Sequence, residues 1–371
     1  MRVHVVDPSA YTPPYDHALC RALGAAGAEV ELFTSRFAYG PVALTYGYER
    51  REFFYRAARG APRSRLRTVT KLAGHVPGML RYRRAARTAD VAHFQWLTVQ
   101  HLDGHLLPRG RGGLGPKLVF TAHDVMPREP RRGQLSAQRR LYERFDAIVV
   151  HTEHGRRRLT GELGIDPVRI HVIPHGVFTH LAAGPRQAPP FASEKPVVLC
   201  FGLMRPYKGI DVLVEAWKGI ENAELWIAGM PRMDISALRA AAPPNVRFVP
   251  RFIGDDELPA YFQRADLVVL PYREIDQSGV LFTALAFGKP LLLSDAGGFP
   301  ELAGSGAART FPTGDAGALG NALRELLGDP AARAEMSLRA GMASEGEYSW
   351  ENVARRHLEL YSSLLDENPP R

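Results

Sequence analysis

Two cations three residues apart, Arg205 and Lys208, stand on a short loop within the segment FGLMRPYKGIDVLVEAW, between an apolar run and a helix-like stretch. Paired positive charges on one loop can hold a diphosphate through charge-assisted hydrogen bonds. Gly202, just before them, lets a ligand approach the backbone. The plainer alternative is a solvated turn. A second pattern lies at Ser278, Gly279 and Val280, where a polar loop opens another helix. Free amides and the positive end of the dipole at such a terminus make a seat for phosphate, although a capped helix without ligand has the same sequence. Two such patterns in one half of the chain point to a phosphate-bearing ligand there.

Other reactive side chains point elsewhere. His151, His154, His171 and His175 raise the question of a metal. His151 and His171 end or sit within apolar strands and His154 and His175 fall in loops, so no shared face with a carboxylate is expected, and no metal. Cys20 and Cys200 lie far apart in apolar runs and read as small buried hydrophobes.

The elements that must position these residues are legible as alternation. With 371 residues, 45% of them hydrophobic and 23% charged, the chain can build two ordinary domains, which excludes a fibrous or disordered protein. Short apolar runs at 3–6, 30–34, 91–96, 117–123, 147–152 and 169–177 alternate with helical stretches at 15–25 and 135–145. Near-continuous Val/Ile/Leu strands separated by helices imply a parallel sheet covered on both faces. The pattern stops over 182–196, which carries Gly184, Pro185, Pro189, Pro190 and Pro196. It restarts with strands at 196–202, 223–229, 246–250, 267–271, 290–295 and 308–311, and helices at 210–217, 258–265, through 284, and 316–327. Two doubly wound domains joined by a proline-rich hinge are expected to bind ligand in the cleft between the carboxyl ends of their sheets. A final amphipathic stretch, 350–365, can cap a domain or cross back over the hinge.

The net charge of +8 predicts anionic partners. Between 53 and 89 there is no Asp or Glu, while Arg56, Arg59, Arg63, Arg65, Arg67, Lys71, Arg81, Arg83, Arg84 and Arg87 alternate with Leu66, Val69, Leu72, Val76, Met79, Leu80 and Tyr82. Such a segment either lies on an anionic membrane or is a solvated helical face. The start, MRVHVVDP, lacks the apolar core of a secretory signal, and no uncharged stretch approaches the ~20 residues that span a bilayer. The expected place is the cytoplasm, with peripheral contact on the inner membrane face through 53–89.

The two phosphate patterns, with VRFVPRFIGDDELPAYFQRADLVVLPY, ALAFGKP and AGGFPE, resemble the C-terminal domain of the retaining glycosyltransferases of family 4 (group 1), which have the GT-B fold. FTAHD at 120–124 and DAIVVHTEHGRRRL through VIPHGV at 146–177 resemble its N-terminal half. No single piece is diagnostic; five in the right order are a strong signal. The resemblance implies two Rossmann-like doubly wound domains facing each other across a cleft: an acceptor domain over 1–185, a hinge over 186–196, a donor domain over 197–347 and a terminal helix over 348–371.

It also implies roles. Arg205 and Lys208, with Gly202, Ser278, Gly279 and Val280, would hold the donor diphosphate, replacing a metal as charge develops on it. His123 would reach the donor sugar, although a histidine after a strand is often a capping residue. The family's two glutamates, eight positions apart, are replaced here: the second position is Thr283, on the ribose, and the first falls at Ile275. Asp276, with Glu274 as the alternative, would then supply the carboxylate. Arg251 and Phe252 mark the base pocket. Where many relatives carry a glycine pair, this chain has DPSAYTPPYDHAL, whose Tyr11, Tyr15 and Asp16 would face an acceptor, or serve only as loop and cap residues. The implied partners are a UDP-, GDP- or ADP-linked sugar and a glycan, lipid-linked or small-molecule acceptor, with no cofactor and no specific nucleic acid. The rival is a degenerate protein of the same fold that binds nucleotide or polyanion without transfer.

Overall fold

The computed structural model describes residues 1–37, 42–59, 64–108, 115–126, 133–185 and 187–366. Arg63 of the basic segment and Arg186 of the expected hinge lie outside these residues. The chain divides into two compact units, one of 1–176 with 350–371 and one of 177–349. Residues 177–185 therefore pack with the second unit.

In the first unit the order is β1 (Arg2–Asp7), α1 (Pro13–Ala25), β2 (Glu29–Ser35), β3 (Glu49–Phe54), α2 (Arg65–Ala85), β4 (Val91–Phe94), α3 (Gln100–Leu106), β5 (Lys117–Thr121), α4 (Gln134–Tyr142), β6 (Ala147–Val150), α5 (Glu153–Leu163) and β7 (Ile170–Val172). The second runs α6 (Thr179–Ala182), β8 (Val197–Phe201), α7 (Ile210–Ala216), β9 (Glu224–Ala228), α8 (Ser236–Ala241), β10 (Val246–Val249), α9 (Leu258–Arg264), β11 (Leu267–Leu270), α10 (Gly279–Ala286), β12 (Leu291–Ser294), α11 (Phe299–Ala303), β13 (Ala308–Phe311), α12 (Ala316–Gly328) and α13 (Pro330–Glu345). Then α14 (Trp350–Asp366) returns to the first unit.

The sheets run β3-β2-β1-β4-β5-β6-β7 and β10-β9-β8-β11-β12-β13. The pairs are parallel, as in β1 with β4 and β8 with β11. Parallel neighbours need a crossover, which the intervening helices supply, and those helices bury both faces of strands such as AIVV and LVVL. Among the described strands only the edge strand β3, ERREFF, keeps charge along most of its length, which blunts its exposed side.

Strand order reverses between β1 and β4 in one sheet and between β8 and β11 in the other. Chains leaving neighbouring strands there diverge to opposite faces and open a crevice at the carboxyl ends. α14 completes the first unit by burying Val353, Ala354, Leu360, Tyr361 and Leu364 against β1 and α1. Its Tyr361 hydroxyl bonds His93 Nδ1 at 2.6 Å, and His93 Nε2 bonds Thr121 at 2.7 Å.

Candidate functional site

At the β8/β11 reversal the backbone is built for close approach. Gly202 follows β8 with φ 110°, and a Cβ there would lie 3.2 Å from Val280 Cγ2 and 3.9 Å from Lys208 Nζ. Val280, distant in sequence, is thus brought against the loop of Gly202 and Lys208. Gly209 has φ 63°, and a Cβ on it would stand 1.9 Å from the carbonyl oxygen of Pro271. That contact locks the loop bearing Arg205 and Lys208 onto the end of β11.

The two cations behave differently. Lys208 is buried; its ammonium donates to the Tyr272 hydroxyl and sits 3.8 Å from the Tyr272 ring centre. Tyr272 in turn lies 3.4 Å from Ser278 Oγ. Arg205 opens the turn before Lys208 and is exposed. Ser278 caps α10 in extended conformation without a side-chain hydrogen bond to the helix, its hydroxyl being turned to Tyr272 instead. One fixed and one solvated cation, a small residue and a helix terminus together suit a diphosphate. Arg273, beside Tyr272, braces the same loop through a bidentate pair with Asp211 at 2.8 and 2.6 Å, which holds the Asp211 carboxyl below its usual range.

Around that centre the remaining expected residues fall at graded distances from water. Ile275 is buried, Glu274 exposed and Asp276 half-buried, so the core takes the apolar residue and leaves a carboxylate on either side of it. Thr283 is buried and donates to the Gly279 carbonyl at 3.0 Å. Past β10, Phe252 is 61% exposed, while Arg251 is bidentate on Glu257 at 2.9 and 2.5 Å. Tyr272, which connects Lys208 to Ser278, has no separate signal in the sequence beyond ending a strand.

In the first unit, histidines expected to scatter partly gather. The His123 and His151 ring centres are 5.2 Å apart and those of His151 and His175 5.4 Å, with Tyr15 against all three. His151 Nδ1 donates to the Ile173 carbonyl at 2.9 Å, so its Nε2 is free to accept from His123 Nδ1 at 3.3 Å. His123 Nε2 is then an acceptor, and it lies 3.1 Å from the side-chain amide of Gln95. Turning that amide so that its nitrogen faces His123 pairs a donor with the ring and gives the otherwise unpartnered Gln95 Nε2 a role. Burial, then the neighbouring histidines, holds His123 well below the usual imidazole range, and burial takes His151 down to about 4. Among the described residues no group of three or more His, Cys, Asp or Glu has the arrangement to hold a metal ion.

Tyr15 and Asp16, expected to face an acceptor, are each only 1% exposed; of the three candidates only Tyr11, at 58%, meets solvent in quantity. Asp7 explains the difference. Its carboxylate takes the amides of Ser9 at 3.2 Å, Tyr11 at 2.5 Å and Thr12 at 3.3 Å, and a hydrogen bond from Asp16. Burial, and next the charge of Asp7, raises Asp16 well above the carboxylate range, so Asp16 carries the shared proton. The loop after β1 is therefore closed on the chain's own carboxylate.

In the basic segment, α2 keeps His75, Gly78, Met79 and Tyr82 buried. Leu66, Val69, Leu72 and Leu80 are 58, 63, 60 and 45% exposed. At 100° per residue these four, with Arg83 and Arg84, share one outward face. Arg81 instead bonds the Phe53 carbonyl at 3.2 Å. Among the described residues no helix is long and apolar enough to cross a membrane.

With this geometry in view, known proteins are similar to the chain along its length. Residues 15–181 match the family Glycosyltransferase Family 4, and residues 195–329 the family Glycosyl transferases group 1. A D-inositol 3-phosphate glycosyltransferase of Kineococcus radiotolerans is 27% identical over 94% of this chain and 89% of its own. A GDP-mannose-dependent phosphatidylinositol monomannoside mannosyltransferase of Corynebacterium glutamicum is 27% identical over 62% of this chain and 66% of its own. Among solved structures, sucrose-phosphate synthase from Thermosynechococcus elongatus superimposes with a TM-score of 0.76 at 20% identity, covering 99% of this chain and 100% of that one. Anabaena HepE in complex with UDP-glucose gives 0.71 at 16% identity, covering 98% and 100%.

Proposed function

Since the chain belongs to glycosyltransferase family 4 (group 1) and has the GT-B fold, we propose that it moves a hexosyl group from a nucleotide diphosphate sugar to an acceptor hydroxyl with retention and without a metal. The observation that carries this reading is the convergence of Gly202, Lys208 and Val280 at the β8/β11 reversal, with Ser278 joined through Tyr272.

In the proposed reaction the acceptor hydroxyl attacks the anomeric carbon on the face the diphosphate leaves. The carbon–oxygen bond to phosphate breaks, and a phosphate oxygen takes the acceptor's proton. Lys208 and Arg205 stabilise the charge that grows on the leaving diphosphate. Asp276, or Glu274 beside it, contacts the transferred sugar, as His123 does with a neutral ring. Thr283 serves the ribose, and the exposed ring of Phe252, beside Arg251, serves the base. Positioning and electrostatics supply most of the rate.

On the acceptor side, the outward Leu/Val stripe of α2 with its arginines supports peripheral contact with an anionic membrane on the cytoplasmic side, and hence a lipid-linked acceptor. Relatives named for inositol phosphate and phosphatidylinositol mannoside acceptors favour an acceptor carrying phosphate or lipid over a plain glycan.

Calorimetric titration with UDP, GDP and ADP, in EDTA and then with magnesium, tests the donor half. One nucleotide should bind saturably and to the same degree in both buffers. Absence of binding by all three would remove the donor site, and binding only with magnesium would remove the metal-free mechanism.

A further inference from the structure

The first sheet has its own reversal, between β1 and β4, and the residues just past β1, β3 and β4 form a polar floor at its carboxyl end. Ser9 Oγ and Thr98 Oγ1 share a hydrogen bond of 2.9 Å at the surface. The Tyr55 hydroxyl reaches Thr98 at 3.3 Å from beneath. Tyr55 is also bound to His75 Nδ1 at 2.7 Å, and His75 Nε2 to Asp103 Oδ1 at 2.5 Å, while Asp103 accepts the Val99 amide at 2.8 Å. The Lys71 ammonium stands 4.7 Å from the centre of the Tyr55 ring.

Three features of this floor exceed what folding asks of it. First, Ala10 and Tyr55, with φ of 50° and 53°, are the non-glycine residues of positive φ among those described, and both border it. A left-handed non-glycine residue is strained, and such strain collects where a site must be held in shape. Second, a fully buried Asp103–His75 pair is expensive to desolvate. Here it fixes a phenol whose next partner, Thr98, opens to water. Third, Lys71 is half-buried in a stretch with no carboxylate from 53 to 89. Burial, then Arg67, lowers its pKa against a smaller opposing pull from Asp7, so an anion beside it would favour the charged form. Next to this floor the exposed Tyr11 ring is held 5.2 Å from Trp96, which is itself fixed by its Nε1 donating to Thr12 Oγ1 at 2.9 Å.

We propose that this floor is an acceptor subsite for a hydroxyl-bearing ring that carries a phosphate. Lys71 takes the phosphate, Ser9, Thr98 and Tyr55 take ring hydroxyls, and the Tyr11 ring backed by Trp96 covers the apolar face of the ring. The subsite rests on the transferase reading and sharpens its acceptor side; every residue in it belongs to the first unit.

The test is calorimetry on the full chain with D-inositol 3-phosphate and glucose 6-phosphate, each beside its unphosphorylated parent, with inorganic phosphate, UDP, GDP and ADP titrated separately. At least one phosphorylated ring should bind saturably and at least tenfold tighter than both its parent and inorganic phosphate. Lys71→Met should erase that preference, Tyr55→Phe should weaken ring and parent by the same factor, and both variants should bind the nucleotides as the unmodified protein does. If neither phosphorylated ring binds, if Lys71→Met leaves the preference intact, or if inorganic phosphate binds equally well, the subsite is overturned. Absence of binding by UDP, GDP and ADP alike in the unmodified protein would instead count against the donor reading of the second unit and leave the ring result standing on its own.

Discussion

Lys208 gives up water to reach the reversal point of the second sheet, where its ammonium donates to the Tyr272 hydroxyl. Arg251, by contrast, is bidentate on Glu257. Lys208→Met and Arg205→Ala should each weaken nucleotide diphosphate binding by about 1.5–3 kcal/mol, the scale of a hydrogen bond to a charged group. Equal affinity in titrations of both variants would move the diphosphate elsewhere. Gly209→Ala tests the lock under that loop, because the added methyl would strike the Pro271 carbonyl at a positive φ. A loss of roughly 2–4 kcal/mol in urea unfolding is expected, and a loss below 1 kcal/mol would show that the loop can shift.

At this scale the charged half of the site was legible because two cations three apart and a small residue after a strand are local signals. Tyr272, Trp96 and the Asp103–His75–Tyr55 relay were not, since an aromatic residue at a strand end reads as core until the partner that meets it is known. Asp16 shows the converse: its position near a helix start suggested a cap, while a neighbour nine residues back, Asp7, had taken the loop amides.

Among the elements, α2 is the one whose composition and packing disagree. Its buried side needs only four residues, and its aliphatic stripe turns outward. Nucleic-acid surfaces use aromatic rings to stack bases; exposed leucines and valine gain nothing there and gain about 25 cal/mol per Å² in lipid. Leu66, Val69 and Leu72 changed together to serine should cut co-sedimentation with phosphatidylglycerol vesicles at least tenfold, while Arg83→Glu with Arg84→Glu should remove the preference over phosphatidylcholine. An unmodified protein that ignores both vesicles would retire the membrane contact. Whereas the longest helix, α2, was left open between a membrane segment and a solvated helical face, the apolar strands followed from periodicity, as did α1, α12 and α14. β3 did not, because ERREFF has the charge of an edge and not the alternation of a half-buried strand, and α13 did not, because its sixteen residues bury so few apolar ones.

For the molecule as a whole, the distribution of histidine matters more than its number. Of the 13 histidines, all but His180 belong to the first unit. Burial, ahead of other causes, lowers His93, His123 and His175 far below 6.5 and takes His151 and His357 to about 4. A base with a depressed folded pKa favours its neutral form in the fold, so the unfolded chain binds more protons between the two values. Stability from these groups is therefore complete above about pH 6.5 and is lost as the pH falls towards 4. Scanning calorimetry from pH 7 to 4.5 should show the transition of the first unit falling faster than that of the second. Parallel shifts of the two would mean that these imidazoles are not held neutral.

The return of α14 to the first unit also orders events on the ribosome. The second unit is one unbroken stretch and can close as soon as it emerges, but the strands β1 and β4 are made about 340 and about 250 residues before the helix that covers them. Until Trp350 and the residues after it are synthesised, His93 lacks its Tyr361 partner and the apolar side of β1 and α1 stays open. The half of the protein translated first is thus the half finished last, and that interval is when a nascent chain most needs a chaperone.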